Sequence, residues 1–428
     1  MKERANWFCY TGLDLTNDTL RGHFELDDRK FTEEIVFEGV GSLERDDVRA
    51  VAELWYLIAG LSYFKAGAAR SVDLGATPIS DAGRALFDAA LLDGLGEFSV
   101  RNDLALDDVT IVGGASFRSI RSDLDPGRVL IPFGGGIDSV VTVASLQESL
   151  DQALFVVSPP SGRFVPLEAT AQCTGLVVHR ATRRLDPALL VGDESMFQGH
   201  VPVSAMITLL AVVAAVASGR GGVIMSNEHS ASVPNLVWRD REVNHQWSKS
   251  WVAEKLMADA VAERIGPLPI VASALRDRSE LWVAQQFAAL TKYHATFRSC
   301  NRAFAQKLNR RATSWCGQCD KCLFINLVLA PFMDRAELSR VLGVEPLADA
   351  ARHQQLRTLV GLGVHRKPFE CVGDPSECGV ALTALRENPA WRDEPNVADL
   401  VPLLDLDVTL QQLLEPQGVS RVPANWLR

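Results

Sequence analysis

Residues 128–150 read RVLIPFGGGIDSVVTVASLQESL, and this stretch decides the fold. Asp125-Pro126-Gly127 is a turn, and Arg128–Phe133 is a short apolar run of the kind that forms a buried strand. Gly134, Gly135 and Gly136 follow as a loop with Ile137-Asp138-Ser139, and Val140–Leu150 continues at helical spacing. Three successive glycines allow positive φ and a close backbone approach to an anion. Their N–H groups and the helix N-terminus would then face a phosphate. Asp138 has the side chain to ligate Mg²⁺, and the Ser139 hydroxyl can hydrogen-bond phosphate. No lysine follows in the P-loop position, which excludes the loop of kinases and GTPases. A ligand-free strand-to-helix turn would use the same glycines. The Asp-Ser pair directly after a strand favours phosphate.

Working outward, Ala153–Val157, Gly175–His179 and Gly222–Met225 read as further strands, alternating with helical segments. That alternation indicates an α/β fold with a parallel sheet covered on both faces. Ligands in such sheets bind beyond the carboxyl ends of the strands. The glycine loop falls there, as does Ser226-Asn227-Glu228-His229-Ser230 after the fourth strand. Asn244-His245-Gln246-Trp247-Ser248-Lys249-Ser250, before a helix, is a second polar run expected near that end; capping and loop hydrogen bonding would use the same residues. His200 is a weaker feature of the same kind.

Upstream, residues 8–39 alternate apolar and polar, predicting two or three antiparallel strands with turns at Thr16-Asn17-Asp18 and Asp27-Asp28. From Asp46, a plausible cap, the period becomes helical, and a second helix is expected after Pro78. Tyr63 and Lys65 are the only polar residues here with a conceivable chemical role. The expected layout is an N-terminal α+β domain over 1–125, an ATP-binding domain over 126–330 with a cysteine cluster at its end, and a helical region over 331–428.

The 428 residues carry a net charge of −10, which disfavours a partner needing a broad basic face, such as tRNA or duplex DNA. The N-terminus lacks the apolar core of a signal peptide, so a cytoplasmic protein is expected. Val201–Ser218 is uncharged and near the length of a membrane span, but its Pro, Ser and Thr residues favour a buried helix, and no membrane insertion is expected. Nothing in the sequence sets an oligomeric state.

Cys316-Gly-Gln-Cys319-Asp-Lys-Cys322, with Cys300 upstream, offers four thiolates, a set suited to Zn²⁺. A cubane iron–sulfur cluster, a redox pair, or three cysteines lining a helix start remain open alternatives. Cys9 and Cys173 read as small buried hydrophobes, and the x6 spacing of Cys371 and Cys378 defines no site. Arg298, Arg302, Arg366 and Lys367 are candidate anion clamps that also fit a solvated surface.

The FGGGIDS loop resembles the S-G-G-x-D-S signature of the PP-loop ATP pyrophosphatases, the HUP or adenine nucleotide α-hydrolase-like fold. Gly134 stands where that signature has Ser, removing one hydroxyl contact. The cysteine cluster resembles the zinc site of the 7-cyano-7-deazaguanine synthases, which share the fold. Taken in order, AGLSYFKAG, FGGGIDS, SNEHSASVPN, NHQWSKS, WCGQCDKC and HRKPFECVGD are similar to the MurL family of UDP-N-acetyl-α-D-muramoyl-L-alanyl-L-glutamate epimerases.

That resemblance implies ATP-dependent inversion of the terminal L-Glu of UDP-MurNAc-L-Ala-L-Glu in peptidoglycan synthesis. The carboxylate would be adenylated, with AMP and pyrophosphate released. It further implies ATP and Mg²⁺ on Gly134, Gly135, Gly136, Asp138 and Ser139, with the cation on Asp138. A structural Zn²⁺ would lie on Cys300, Cys316, Cys319 and Cys322. His229, Glu228, His245, Lys249 and Cys371 are the candidates for moving the α-proton, with His229 first because a histidine just beyond a strand titrates near neutrality. Two competing readings are an ATP-dependent amide or nitrile ligase of the deazaguanine-synthase kind and a non-catalytic ATP-binding module.

Overall fold

The computed structural model describes residues 2–191, 194–304, 312, 314–363 and 368–428. The strands among the described residues are β1 (Trp7–Leu15), β2 (Thr19–Leu26), β3 (Arg29–Glu38), β4 (Ser71–Asp73), β5 (Thr110–Val112), β6 (Asp125–Pro132), β7 (Asp151–Ser158), β8 (Val177–Arg184), β9 (Arg220–Met225), β10 (Leu236–Trp238), β11 (Arg241–Val243) and β12 (Ile270–Ser273). Ten of them form one sheet in the order β12-β9-β6-β7-β8-β3-β2-β1-β4-β5, and β10 and β11 form a separate hairpin. Strands β12 through β8 are mutually parallel. Strand β3 then joins β8 antiparallel, with Val36 opposite Thr182.

The N-terminal strands therefore continue the central sheet. The expected turns fall where the sequence put them, between β1 and β2 and between β2 and β3. The helix after β6 starts earlier than its periodicity suggested, at Ile137, and stops at Ser145. Asp46 is the first residue of its helix and not the cap, and Arg45 precedes it without a side-chain capping bond. The helix after Pro78 is capped by Ser80, which accepts from the Gly83 N–H at 3.1 Å.

The period-2 alternation of the central strands divides the core. Leu130, Ala153, Phe155, Val223 and Val271 pack on one face, with the N-terminal helix Asp46–Ala59 and the helices Val203–Ala217 and Trp251–Ile265. Val129, Ile131, Leu154, Val156, Ile224 and Ala272 pack on the other, with Ile137–Ser145, Glu280–Ala289, Asp320–Leu329 and Pro375–Arg386. The run Val201–Ser218 is apolar on every side because its helix is buried between the sheet and Asp46–Ala59. No helix among the described residues is long and apolar enough to cross a membrane.

The chain order sets the position of the site. From β6 the chain moves through β7 to β8 on one side, and β9 then returns to the other side of β6. The connections leaving β6 and β9 diverge, opening a crevice at their carboxyl ends, the topological switch point of an open sheet.

Candidate active site

The glycine loop and the Ser226–Ser230 run both leave the sheet at this crevice. Gly135 has φ +72°, and a Cβ there would meet Leu167 Cα at 3.3 Å, so both conformation and space require glycine. Gly134 is exposed with open space beside it. Gly136 begins the helix with no side-chain capping bond, and a Cβ on it would lie 2.7 Å from Ser299 Oγ. Ser299 thus brings a hydroxyl to a loop whose first position carries none. Ser139 donates to the Gly136 carbonyl at 3.1 Å and closes the first turn.

Asp138 is half-buried, and its Oδ1 is buried without a hydrogen-bond partner. Burial and the neighbouring Glu228 carboxylate push its pKa up to about 6, against the opposing pull of Lys321 and Lys249. Glu228 is buried, and its Oε2 is likewise unpartnered. Burial would raise Glu228, but Lys249 and Lys321 outweigh it and hold the group below the ordinary glutamate value. Two hard oxygen donors without partners, side by side beyond a glycine loop, fit a Mg²⁺ ion carried in with a phosphate. Glu280, behind them, is held well above the glutamate range by burial and by the Glu228 charge. Its N–H donates to Glu377 Oε2 at 2.7 Å, and burial pushes Glu377 up to about 8.

On the other side of Lys249 lies a second polar group. Glu97, near the start of the helix Gly96–Asn102, pairs with His245 Nδ1 and also with Arg101. His245 and Lys249 in turn act on the Cys371 thiol. Burial alone would lower His245, but Cys371 and Glu97 outweigh it and raise the imidazole to about 9. Burial alone would raise Cys371, but Lys249, His245 and Lys321 outweigh it and lower the thiol to about 7. The His200 ring lies 4.3 Å from that of His245, centroid to centroid and tilted by 43°, and burial and the His245 charge lower it to about 4. Lys249 is driven the other way: burial opposes its charge, yet Cys371, Glu228 and Asp138 hold it well above the ordinary lysine value.

The loop carrying Cys371 is tied to the segment carrying His245. Asn235 Nδ2 donates to the Pro368 carbonyl at 2.7 Å, and Gln246 Nε2 donates to the Val372 carbonyl at 3.0 Å. Asn235 Oδ1 also accepts from the His245 N–H at 2.7 Å.

The cysteine cluster assembles as a unit. Sγ of Cys300 lies 4.0 Å from Cys319, Cys316 lies 3.8 Å from Cys322, and Cys319 lies 3.5 Å from Cys322. All four sulfurs are within 4.8 Å of one another. A tetrahedral ion with metal–sulfur bonds of about 2.3 Å separates its ligands by about 3.8 Å. The spacing fits one such ion. It is too wide for a disulfide, and a cubane would need its ligands spread around four irons. Lys321, inside this motif, is buried and is one of the cations acting on Asp138, Glu228 and Cys371.

Of the proposed proton carriers, the structure brings Glu228, His245, Lys249 and Cys371 together. It places His229 elsewhere: the residue is exposed, its ring faces Gly418, and the charges acting on it are Arg276, Asp374 and Asp277. Arg298 donates its N–H to the Gly135 carbonyl at 3.2 Å, while Arg302 bonds Gln318 at 2.8 Å. Tyr63 lies in an aromatic core with Phe24 and Phe31, and Lys65 donates to the Gly199 carbonyl at 2.8 Å. Cys9 and Cys173 are only half-buried, and Cys378 is buried in the helix Pro375–Arg386. Arg366 and Lys367 lie outside the described residues.

Sequence reasoning missed Glu97, Glu280, Ser299 and the role of Lys321. Only Lys321 had a signal, as a lone cation inside the four-cysteine motif.

Residues 2–268 match the family model described as the MurL N-terminal domain, and residues 296–412 match the MurL C-terminal domain. A protein of Salinispora tropica is 40% identical over 385 residues, covering 87% of this chain and 82% of its own. One from a Micromonospora species is 41% identical over 359 residues, covering 82% and 78%. One from Xanthomonas oryzae pv. oryzae is 35% identical over 399 residues, covering 91% and 87%. All three are named UDP-N-acetyl-α-D-muramoyl-L-alanyl-L-glutamate epimerase. No solved structure matches the chain. With both family domains matched and relatives this similar aligned over most of their length, the chain belongs to the MurL family.

Proposed function

We propose that this protein epimerises the terminal L-Glu of UDP-MurNAc-L-Ala-L-Glu to D-Glu, using ATP to adenylate the glutamate carboxylate and releasing AMP and pyrophosphate. The names of its relatives support the epimerase activity and the substrate. One observation carries the ATP-dependent half. At the switch point, directly after a glycine loop, Asp138 and Glu228 present unpartnered carboxylate oxygens flanked by Lys249 and Lys321. Such a set suits a polyphosphate and its cation: carboxylates for the metal, ammonium groups for the phosphate oxygens.

Activation solves a specific problem. An α-proton beside an ionised carboxylate is very weakly acidic, because its removal would place two negative charges together. An acyl-adenylate has no such charge and can delocalise the electron pair onto the acyl oxygen. Mg²⁺ would neutralise charge on the β- and γ-phosphates as pyrophosphate leaves. The glycine loop N–H groups and Arg298 border the phosphate side, while Lys249 stands between that side and the Cys371 group. Hydrolysis of the acyl-adenylate then restores the carboxylate.

The test is incubation with ATP, Mg²⁺ and UDP-MurNAc-L-Ala-L-Glu in deuterated water, followed by chiral analysis of the glutamate. D-Glu carrying α-deuterium should form only with hydrolysable ATP, together with pyrophosphate. Inversion at the same rate without ATP, or with an α,β-nonhydrolysable analogue, would overturn the adenylation. Pyrophosphate release with the glutamate unchanged would overturn the epimerisation.

A further inference from the structure

We propose that Cys371 exchanges the α-proton on one face of the activated glutamate, with His245 and Glu97 as positioning residues behind it. The inference rests on the adenylation above and names the group that acts after it.

The geometry is that of a nucleophile, a base and an orienter turned to proton transfer. Glu97 holds His245 through Nδ1, leaving Nε2 as the nitrogen available to Cys371. Arg101 occupies the other Glu97 oxygen and fixes the carboxylate in turn. Glu97, His200 and His245 bring ligand atoms within 4.8 Å of one another, but both Glu97 oxygens are taken, by Arg101 and by His245 Nδ1, which leaves the carboxylate to orient the imidazole. Cys371 is half-buried and lies beside Lys249, the residue shared with Asp138 and Glu228. The thiol is therefore near the phosphate side without belonging to it.

The alternatives nearby are less suited. Lys249 is held in its charged form and has no lone pair to accept a proton. Glu228 is held ionised by two lysines and lies in the field of the Asp138 carboxylate, on the phosphate side. His245 has Nδ1 on Glu97 and is held as the imidazolium, with no free lone pair to accept a proton. Cys371 is left, its thiol lowered to about 7 and so close to the operating pH where a proton carrier works best.

In the step, the Cα–H bond of the acyl-adenylate breaks and an S–H bond forms on Cys371. The electron pair passes through the Cα–C bond to the acyl oxygen as an enolate. A second acid on the opposite face returns a proton to Cα, and the pair collapses back from oxygen. One proton leaves and one arrives, with no oxidant or reductant.

The experiment uses Cys371→Ala with ATP, Mg²⁺ and each glutamate epimer of the substrate separately, in deuterated water. Expected are retained pyrophosphate release with either epimer, epimerisation lowered by at least about 10²-fold, and α-deuterium entering from one epimer only. A thiol acting on one face leaves the other face intact, whereas a structural defect would lower both exchanges equally. Equal exchange from both epimers, epimerisation at the parent rate, or loss of pyrophosphate release in the variant alone would each overturn the proposal. Acid-quenched parent enzyme carrying a glutamyl thioester on Cys371 would also overturn it, since the thiol would then be a nucleophile. Absence of pyrophosphate release in the parent enzyme would instead refute the adenylation.

Glu97→Gln gives a second, independent reading through the pH dependence of Cys371 alkylation by iodoacetamide, followed on the isolated peptide. The midpoint should rise from about 7 in the parent toward the ordinary thiol value of about 8.5. An unchanged midpoint would remove Glu97 and His245 from the relay.

Discussion

The four-cysteine knuckle and the Cys371 loop carry the same functional group in opposite company. In the knuckle the sulfurs face one another, at 3.5–4.0 Å for the closest pairs. At residue 371 a single sulfur faces an imidazole and an ammonium group. Thiols crowded together cannot all ionise without a cation between them, and two of the four, Cys319 and Cys322, are pushed up accordingly. A thiol set against cations ionises by itself and remains free to exchange a proton. On the proposal above, environment gives one group a structural part and the other a chemical one. Lys321 links the two, since it is anchored in the knuckle and acts on Cys371, Glu228 and Asp138.

If that division is right, the largest effect should follow from breaking the knuckle. Metal-bound thiolates contribute several kcal/mol of folding energy outright. Cys319→Ser should lose bound metal and soluble yield together, lower the unfolding temperature, and remove pyrophosphate release because Lys321 is no longer held. Elemental analysis with thermal unfolding checks this. A metal-free protein with full activity and unchanged melting would end the distinction between the two thiol sites.

Asp138→Asn should be the sharpest cut on the phosphate side. Asp138 Oδ1 has no hydrogen-bond partner, so an amide at that oxygen breaks no hydrogen bond. Preorganised charge of this kind accounts for about 10²–10³-fold in rate. Pyrophosphate release should therefore fall by that much with melting unchanged, and near-parent release would remove the residue from the site.

What the sequence made legible followed from local pattern. The strand, three glycines and helix start of residues 128–145 were readable because a continuous apolar run, positive φ and a helix start are all local signals. The knuckle was readable from spacing alone. The relay was not. Glu97 sits on the second residue of a seven-residue helix, 148 positions from His245, and nothing in its surroundings sets it apart from a surface acid. Glu280 follows the capping residue Ser279 and looked like an ordinary helix start, although it is buried against Glu228 and Glu377. The short strands β4, β5 and β12 span three or four residues, too few for an alternation to show. His229 shows the converse. Its position just beyond β9 put it on the ligand end of the sheet, but it opens a short 3-10 helix, His229–Ser232, on which it is exposed while Glu228 before it stays buried.

A smaller effect concerns pH. Cys371 is an acid held below its ordinary value, so its thiolate is present above about 7 and is lost as the pH falls through it. His245 is a base held above its ordinary value, so its imidazolium is present below about 9 and is lost as the pH rises through it. The groups facing the pair are Lys249 and Lys321 at the thiol, and Glu97, His200 and Glu370 at the ring. The two groups titrate as a pair. The epimerisation rate should be flat from about 7 to about 9 and fall on both sides. Glu97→Gln should move the acidic limb up and lower the plateau by about tenfold, within the range of a lost positioning bond. A pH profile that keeps both limbs in that variant would show that the pair does not control the step.

The smallest effect separates position along the chain from position in space. His229 lies next to Glu228 in sequence, but its backbone N–H donates to the Arg278 carbonyl at 2.9 Å and its ring rests against Gly418 near the C-terminus. Its exposed ring is lowered by burial of its inner edge and by Arg276, and none of Asp138, Lys249 or Cys371 acts on it. Removing an exposed side chain away from any network typically changes free energy by less than about 0.5 kcal/mol, roughly a factor of two in rate. His229→Ala should therefore keep both pyrophosphate release and deuterium uptake from each epimer within about twofold of the parent. Glu228→Gln, one residue earlier, should lower pyrophosphate release far more. Loss of deuterium uptake in the alanine variant with pyrophosphate release intact would move the proton-transfer site from the Cys371 loop to the C-terminal side of β9, and the comparison between the two thiol environments would lose its functional half.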